Sequence, residues 1–204
     1  HRARAKDIND AFADKEVKAI FASIGGDDSV RLLPFLDKKI IAENPKIIMG
    51  YSDTTTLLVF GNLQGFITLH GPAIMAGFSQ IENLPEGFKS HVYEMLFEPK
   101  QSYEYKPYGE YCEGYLDWSK PENVGKIKEL KTDTGWRFLQ GSGKIEGKLF
   151  GGCIEVLEFL KGTDFWPTNE FWSGKILFFE TSEEKPPIDH VKWMLRNYGT
   201  QGIF

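Results

Sequence analysis

The stretch "NPKIIMGYSDTT" (44–55) decides how the chain is read. An apolar run, Ile47 to Met49, stops at Gly50, and Tyr51, Ser52 and Asp53 follow before a second apolar run, "LLVF" (57–60), begins. The first run has the length and branching of a buried strand, and the second follows Thr54 to Thr56 as a helix would. Between them stands a serine two residues after a glycine, which matches the first half of the G-x-S-x-G turn. That turn carries a nucleophile on a sharp strand-to-helix corner. Thr54 stands where the second glycine would be. Ser52 or Asp53 capping the helix that starts near Thr54 is the other reading, since both are preferred N-caps. Spacing alone favours the cap.

Outward from this stretch the pattern repeats. Residues 4–14 read as an amphipathic helix with Ile8 and Phe12 on one face, and "VKAIFASIGG" (17–26) as a strand ending in two glycines. "DSVRLLPFLD" (28–37) reads as a helical turn and connector, and "FITLHGP" (66–72) as a third strand. Strands alternating with helices predict a parallel sheet in an α/β domain. Ligand chemistry gathers beyond the carboxyl ends of such strands, which places "GGDD", "GYSD" and "HGP" together. The Gly25-Gly26 pair lets the backbone approach a ligand, or makes a plain turn. It is neither a P-loop nor a dinucleotide fingerprint.

From about 79 to 135 the chain is rich in Tyr, Gly, Pro and charge with little periodicity, which predicts a long loop or lid. Beyond it, a helix over 152–161 and a strand ending at Glu180 begin a smaller domain of mixed β character. The division expected from sequence is therefore 1–78, 79–135 and 136–204.

Composition narrows the function. Apolar residues make up 41% of the 204 and charged residues 26%, the range of an ordinary soluble domain. A net charge of −5 without a basic cluster argues against nucleic acid as the partner. No run of apolar residues is long enough to span a bilayer. Cys112 and Cys153 make neither a disulfide framework nor a metal-ligand spacing. No metal or cofactor is expected, and a reducing cytoplasmic setting fits. Of the four histidines, His1 is terminal, while His91 and His190 lie on helices. His70, closing the third strand, alone has a geometric claim on Ser52, although a structural strand-end role is its more ordinary reading. Glu180 ends the run "KILFFE" (175–180), as a histidine-orienting carboxylate or as the first solvated residue. The chain starts within a polar helix and ends at "NYGTQGIF" (197–204), so both ends are expected to be cut from something longer.

Taken in order, "IGGDDSVRLLPFLD" (24–37), "NPKIIMGYSDTT", "HGP" (70–72), "GKLFGGCIEVLEFLKGT" (147–163) and "ILFFET" (176–181) resemble the serine LD-carboxypeptidase family, which includes the microcin C self-immunity peptidases. The resemblance runs along nearly the whole chain. It implies a Rossmann-like parallel α/β N-terminal domain, a smaller C-terminal domain built on a β-barrel, a homodimer, and a metal-free Ser-Glu-His triad. Ser52 matches the nucleophile and Glu180 the glutamate that orients the histidine. The amides of Gly26 and Asp53 match the oxyanion hole. The family's histidine lies in a later block, so it is expected outside this chain.

One branch of the family cleaves murein peptides. The immunity-like branch, which this chain resembles more, cleaves aminoacyl or peptidyl groups from modified nucleotides. That branch carries a tryptophan that stacks on the nucleobase, and Trp118 in "GYLDWSKPE" (114–122) sits where it should be. His70 is a second candidate for contact with substrate. Cys153 departs from the family's usual asparagine.

Overall fold

The computed structural model describes residues 1–98 and 100–204. In chain order, helix α1 (Arg2–Ala13) leads to strand β1 (Ala19–Phe21), a 3-10 helix (Ser29–Phe35) and helix α2 (Lys38–Glu43). Strand β2 (Ile47–Gly50) then enters a short 3-10 turn (Ser52–Thr54), helix α3 (Thr55–Leu63) and strand β3 (Leu69–His70). The three strands lie side by side in chain order and all parallel, with Phe21 opposite Met49 and Gly50 opposite His70. The alternation read from sequence is therefore the sheet that forms. β1 is shorter than the span 17–26. Its ladder ends as Ala22 N–H reaches Met49 O at 3.0 Å, and Ile24 onward turns away toward the glycines.

Residues 74–144 form a compact unit of their own. It holds a 3-10 helix (Phe78–Asn83), helix α4 (Glu86–Phe97) and the antiparallel pair β4 (Glu110–Cys112) and β5 (Leu130–Thr132). The stretch expected to be loop is thus ordered in part, and aromatic contacts explain how so polar a sequence holds. The His91 ring stacks on Tyr103 at 4.6 Å and meets Tyr105 edge-on at 4.9 Å, while its Nδ1 contacts the Tyr108 hydroxyl. Ring pairs of this kind add to the burial of their own area.

The last segment holds strand β6 (Lys148–Cys153), helix α5 (Ile154–Glu158), strand β7 (Lys175–Glu180) and helix α6 (Ile188–Thr200). β6 and β7 pair in parallel from Lys148–Lys175 to Cys153–Glu180. α5 starts two residues later than the sequence suggested, because Gly152 and Cys153 still belong to the ladder. By packing, residues 1–73 and 145–204 make one compact unit. One apolar cluster runs through it: Phe12 of α1, Leu32 and Leu33 of the first 3-10 helix, Phe60 of α3, Leu157 of α5 and Tyr198 of α6 are all buried together. Burial of such residues is the main term holding a domain together, at about 1.5–3 kcal/mol for each large apolar side chain. His190 is exposed on α6, and Met194 and Leu195 pack inward, as the helix periodicity required. Among the described residues no helix is long and apolar enough to cross a membrane.

Candidate active site

Ser52 is held in a left-handed backbone conformation, with φ of 55°. A residue with a Cβ pays roughly 1 kcal/mol or more there, and such strain persists only where the surroundings impose it. β2 delivers the chain to Gly50, where no side chain fits: a Cβ there would stand 2.7 Å from Thr54 Cγ2 and 2.9 Å from Ala22 Cβ. The chain therefore turns sharply through Ser52 and enters α3. Neither candidate cap is used. α3 has Thr54 at its N-cap position with no side-chain cap bond, so the corner forms as the sequence predicts and neither Ser52 nor Asp53 caps α3.

The Asp53 carboxylate reaches across the corner instead. Buried, it accepts hydrogen bonds from Asp28 N–H (3.2 Å), Ser29 N–H (3.0 Å) and the Ser29 hydroxyl (2.8 Å). It closes the amino end of the 3-10 helix Ser29–Phe35 from outside that helix, where free N–H groups need an acceptor. The Ser29 hydroxyl also contacts Asp53 O at 2.6 Å and the Thr56 hydroxyl. This clamp fixes the loop that carries Gly25 and Gly26. A Cβ on Gly25 would lie 3.0 Å from both Cβ and Oγ of Ser52, so only glycine lets that backbone come so close to the hydroxyl. Gly26, with φ of 146°, lies next to the Asp53 carboxylate. Sequence spacing offered the Asp53 side chain only as a cap. The buried carboxylate is the part it missed, and the neighbouring "DDS" (27–29) was its one signal.

Glu180 arrives from the other end of the chain. Cys153 N–H donates to Thr55 Oγ1 at 3.1 Å, which ties the end of β6 to the start of α3. The register Cys153–Glu180 then sets the end of β7 beside the Ser52 corner. Glu180 Oε1 accepts the Ser52 backbone N–H at 3.3 Å. Burial pushes the Glu180 carboxyl above its ordinary range, partly offset by the Ser52 N–H, and the charge of Glu155 adds to the rise. Glu155 faces the opposite way energetically. Burial would raise it too, but hydrogen bonds from the Ser182 hydroxyl (2.7 Å) and N–H (3.0 Å) outweigh that and leave it lowered. Cys153, in the position where an asparagine was expected, is fully buried, and burial pushes its thiol up to about 12.

His70 lies next to Glu180, with Nε2 3.5 Å from Oε1. Its contact is with the glutamate rather than with the Ser52 hydroxyl. His91 belongs to the aromatic cluster around α4, and His190 stacks against Trp193 on α6. Trp118 lies in the 74–144 unit, half exposed, with its ring tilted against Tyr115 at 4.9 Å. Ser52, Gly25, Gly26, Asp53, Glu180 and His70 are thus one constellation within residues 1–73 and 145–204. It offers a strained serine hydroxyl, a glycine backbone against it and a carboxylate behind it. Those are three of the parts that acyl transfer requires. Among the described residues no group of three or more His, Cys, Asp or Glu gathers as a metal site would.

Comparison with known proteins identifies the family. Residues 1–71 match the LD-carboxypeptidase N-terminal domain and residues 146–204 the LD-carboxypeptidase C-terminal domain. The microcin C7 self-immunity protein MccF of Escherichia coli is 33% identical over 186 residues, covering 90% of this chain and 52% of that protein. A putative carboxypeptidase of Vibrio cholerae is 31% identical over 205 residues, covering 100% of this chain and 58% of that protein. A probable murein peptide carboxypeptidase of Bacillus subtilis is 28% identical over 200 residues, covering 96% and 52%. The chain therefore spans about half the length of the curated relatives it matches. Among solved structures, MccF in complex with glutamyl sulfamoyl guanosine superposes with a TM-score of 0.81 at 31% identity, covering 99% of this chain and 59% of that one. An MccF-like protein from Streptococcus pneumoniae in complex with AMP gives 0.83 at 32%, covering 99% and 63%.

Proposed function

Since the chain belongs to the LD-carboxypeptidase family, we propose that it carries the nucleophile half of a serine peptidase or amidase acting on small, unusual amides. Ser52 Oγ attacks the scissile carbonyl. The backbone N–H groups of Gly26 and Asp53 receive the oxyanion, a contribution on the order of 3–4 kcal/mol for each such donor. A histidine outside these 204 residues takes the serine proton, and Glu180 holds that histidine in the tautomer that can accept it. The observation that carries this reading is the left-handed φ of 55° at Ser52, with the Gly25 backbone against its hydroxyl and Glu180 behind it. A plain helix cap needs none of these.

For substrate we favour an aminoacyl or peptidyl nucleotide conjugate over a murein peptide. The relatives with bound ligands hold AMP or an aminoacyl sulfamoyl nucleoside. In this chain Trp118 offers a half-exposed aromatic face on which a nucleobase can stack. The murein reading rests on the Bacillus subtilis relative. Assay of the full-length protein against glutamyl sulfamoyl adenosine and against a murein tetrapeptide decides between them. Ser52→Ala should abolish hydrolysis of whichever is cleaved while leaving the fold intact. A non-catalytic binding module is the rival, favoured by the absence of a histidine on the Ser52 hydroxyl among the described residues. It would bind the conjugate in full-length form without turnover, and Ser52→Ala would change nothing.

A further inference from the structure

His70 is a partly buried titratable side chain that the proposed mechanism leaves without a task. It closes β3, and its position is set by the backbone on both sides: Gly50 pairs with it in register, and Gly71 N–H donates to Gly50 O at 3.0 Å. Its ring meets Phe178 edge-on at 5.4 Å. Among the described residues the buried Nδ1 has no hydrogen-bond partner, and Nε2 lies 3.5 Å from Glu180 Oε1. Burial lowers the imidazole below its ordinary value, which disfavours the doubly protonated ring.

The two tautomers are unequal here. A proton on Nδ1 would bury a donor where no acceptor waits, and would set the Nε2 lone pair against a carboxylate oxygen. A proton on Nε2 points at that oxygen and leaves only an unfilled acceptor at Nδ1. An unmet buried donor is the costlier of the two defects. The hydrogen bond made by one ring nitrogen fixes the role of the other.

We propose that His70 is a positioning residue for Glu180: its Nε2–H holds Oε1 from one side while the Ser52 N–H holds it from the other. Oε2, which accepts no hydrogen bond among the described residues, is then free to orient the catalytic histidine. The contact is long, and such contacts in unliganded sites tighten when the reacting groups are in place. The inference rests on the Ser-Glu-His reading above, but the contact it asserts can be tested without turnover.

In the full-length protein, nitrogen NMR of the imidazole should find His70 as the Nε2–H tautomer at pH 7, with its ring resonances displaced in Glu180→Gln. The Nδ1–H tautomer, or resonances indifferent to Glu180→Gln, would overturn the contact. Kinetically, His70→Ala should lower kcat by about 10–100-fold, the usual effect of removing the partner that orients a reactive group. KM should move less than about threefold. His70→Gln, whose amide can donate to the same oxygen, should recover most of kcat. An unchanged kcat in His70→Ala, or equal losses in both variants while each keeps its melting temperature, refutes the positioning role. If Ser52→Ala retains turnover in the same assay, the Ser-Glu-His reading falls by itself, and the NMR result still decides the His70–Glu180 contact.

Discussion

Removing the Asp53 carboxylate perturbs the nucleophile corner most directly without touching the nucleophile. In Asp53→Ala two backbone donors lose their acceptor: Ser29 N–H, which is buried, and Asp28 N–H, which is partly so. The Ser29 hydroxyl keeps Asp53 O and the Thr56 hydroxyl within reach, so its loss is small. Hydrogen bonds to a charged group contribute about 1.5–3 kcal/mol each, and the partly exposed Asp28 N–H contributes at the lower end, which sets the expected destabilisation at roughly 3–5 kcal/mol. Asp53→Asn keeps one acceptor oxygen and should cost about half as much. For a chain of this size, 3–5 kcal/mol corresponds to a fall in Tm of roughly 6–20 °C. Denaturant titration of both variants measures it, and amide exchange across residues 23–29 should quicken in step, because the clamp holds that loop. A cost below about 1 kcal/mol for Asp53→Ala, or unchanged exchange in the loop, would refute the reasoning that this carboxylate holds the glycines against Ser52.

Three further outcomes follow from the same geometry. Glu180 and Glu155 should have pH dependences of opposite sign. The Glu180 carboxyl is raised in the fold, so its favourable contribution is present below its unfolded value near 4.5 and is lost as pH rises. Glu180→Gln should therefore be the more stable protein near pH 7, with the advantage vanishing below about pH 4. Glu155 is lowered, so Glu155→Gln should be less stable near pH 7, and that deficit should shrink as acid protonates the wild-type carboxylate. A thiol reagent at pH 8 should modify Cys112 in the folded chain and leave the fully buried Cys153 untouched until denaturant is added. Tyr198→Phe should raise stability by about 1 kcal/mol in denaturant titration, because the Tyr198 hydroxyl is buried with no partner among the described residues.

The sheet was legible because its signals are local. Apolar runs of strand length ended at or beside glycines, and the spans read as strands, 17–26, 45–50 and 66–72, each contain one strand of the parallel sheet β1-β2-β3. Ser52 was legible as a corner residue but not as a strained one, since φ is set by how Gly50 packs on Thr54 and Ala22. The Asp53 clamp and the Glu180–Ser52 bond were not legible by spacing. They join residues 24 and 128 positions apart, and only the fold brings them together. For Glu180, resemblance to a family supplied what the pattern "KILFFE" could not. Within 79–135, the helix around His91 was legible in sequence, whereas aromatic contacts such as His91 on Tyr103 leave no periodic trace.

The central claim is that Ser52 is a nucleophile and not a cap. Mass spectrometry of the full-length protein after incubation with a fluorophosphonate tests it most directly. The account predicts one covalent adduct, on the peptide containing Ser52, absent in Ser52→Ala and strongly slowed in Glu180→Gln. An unlabelled Ser52, or a label on another serine that persists in Ser52→Ala, would contradict it.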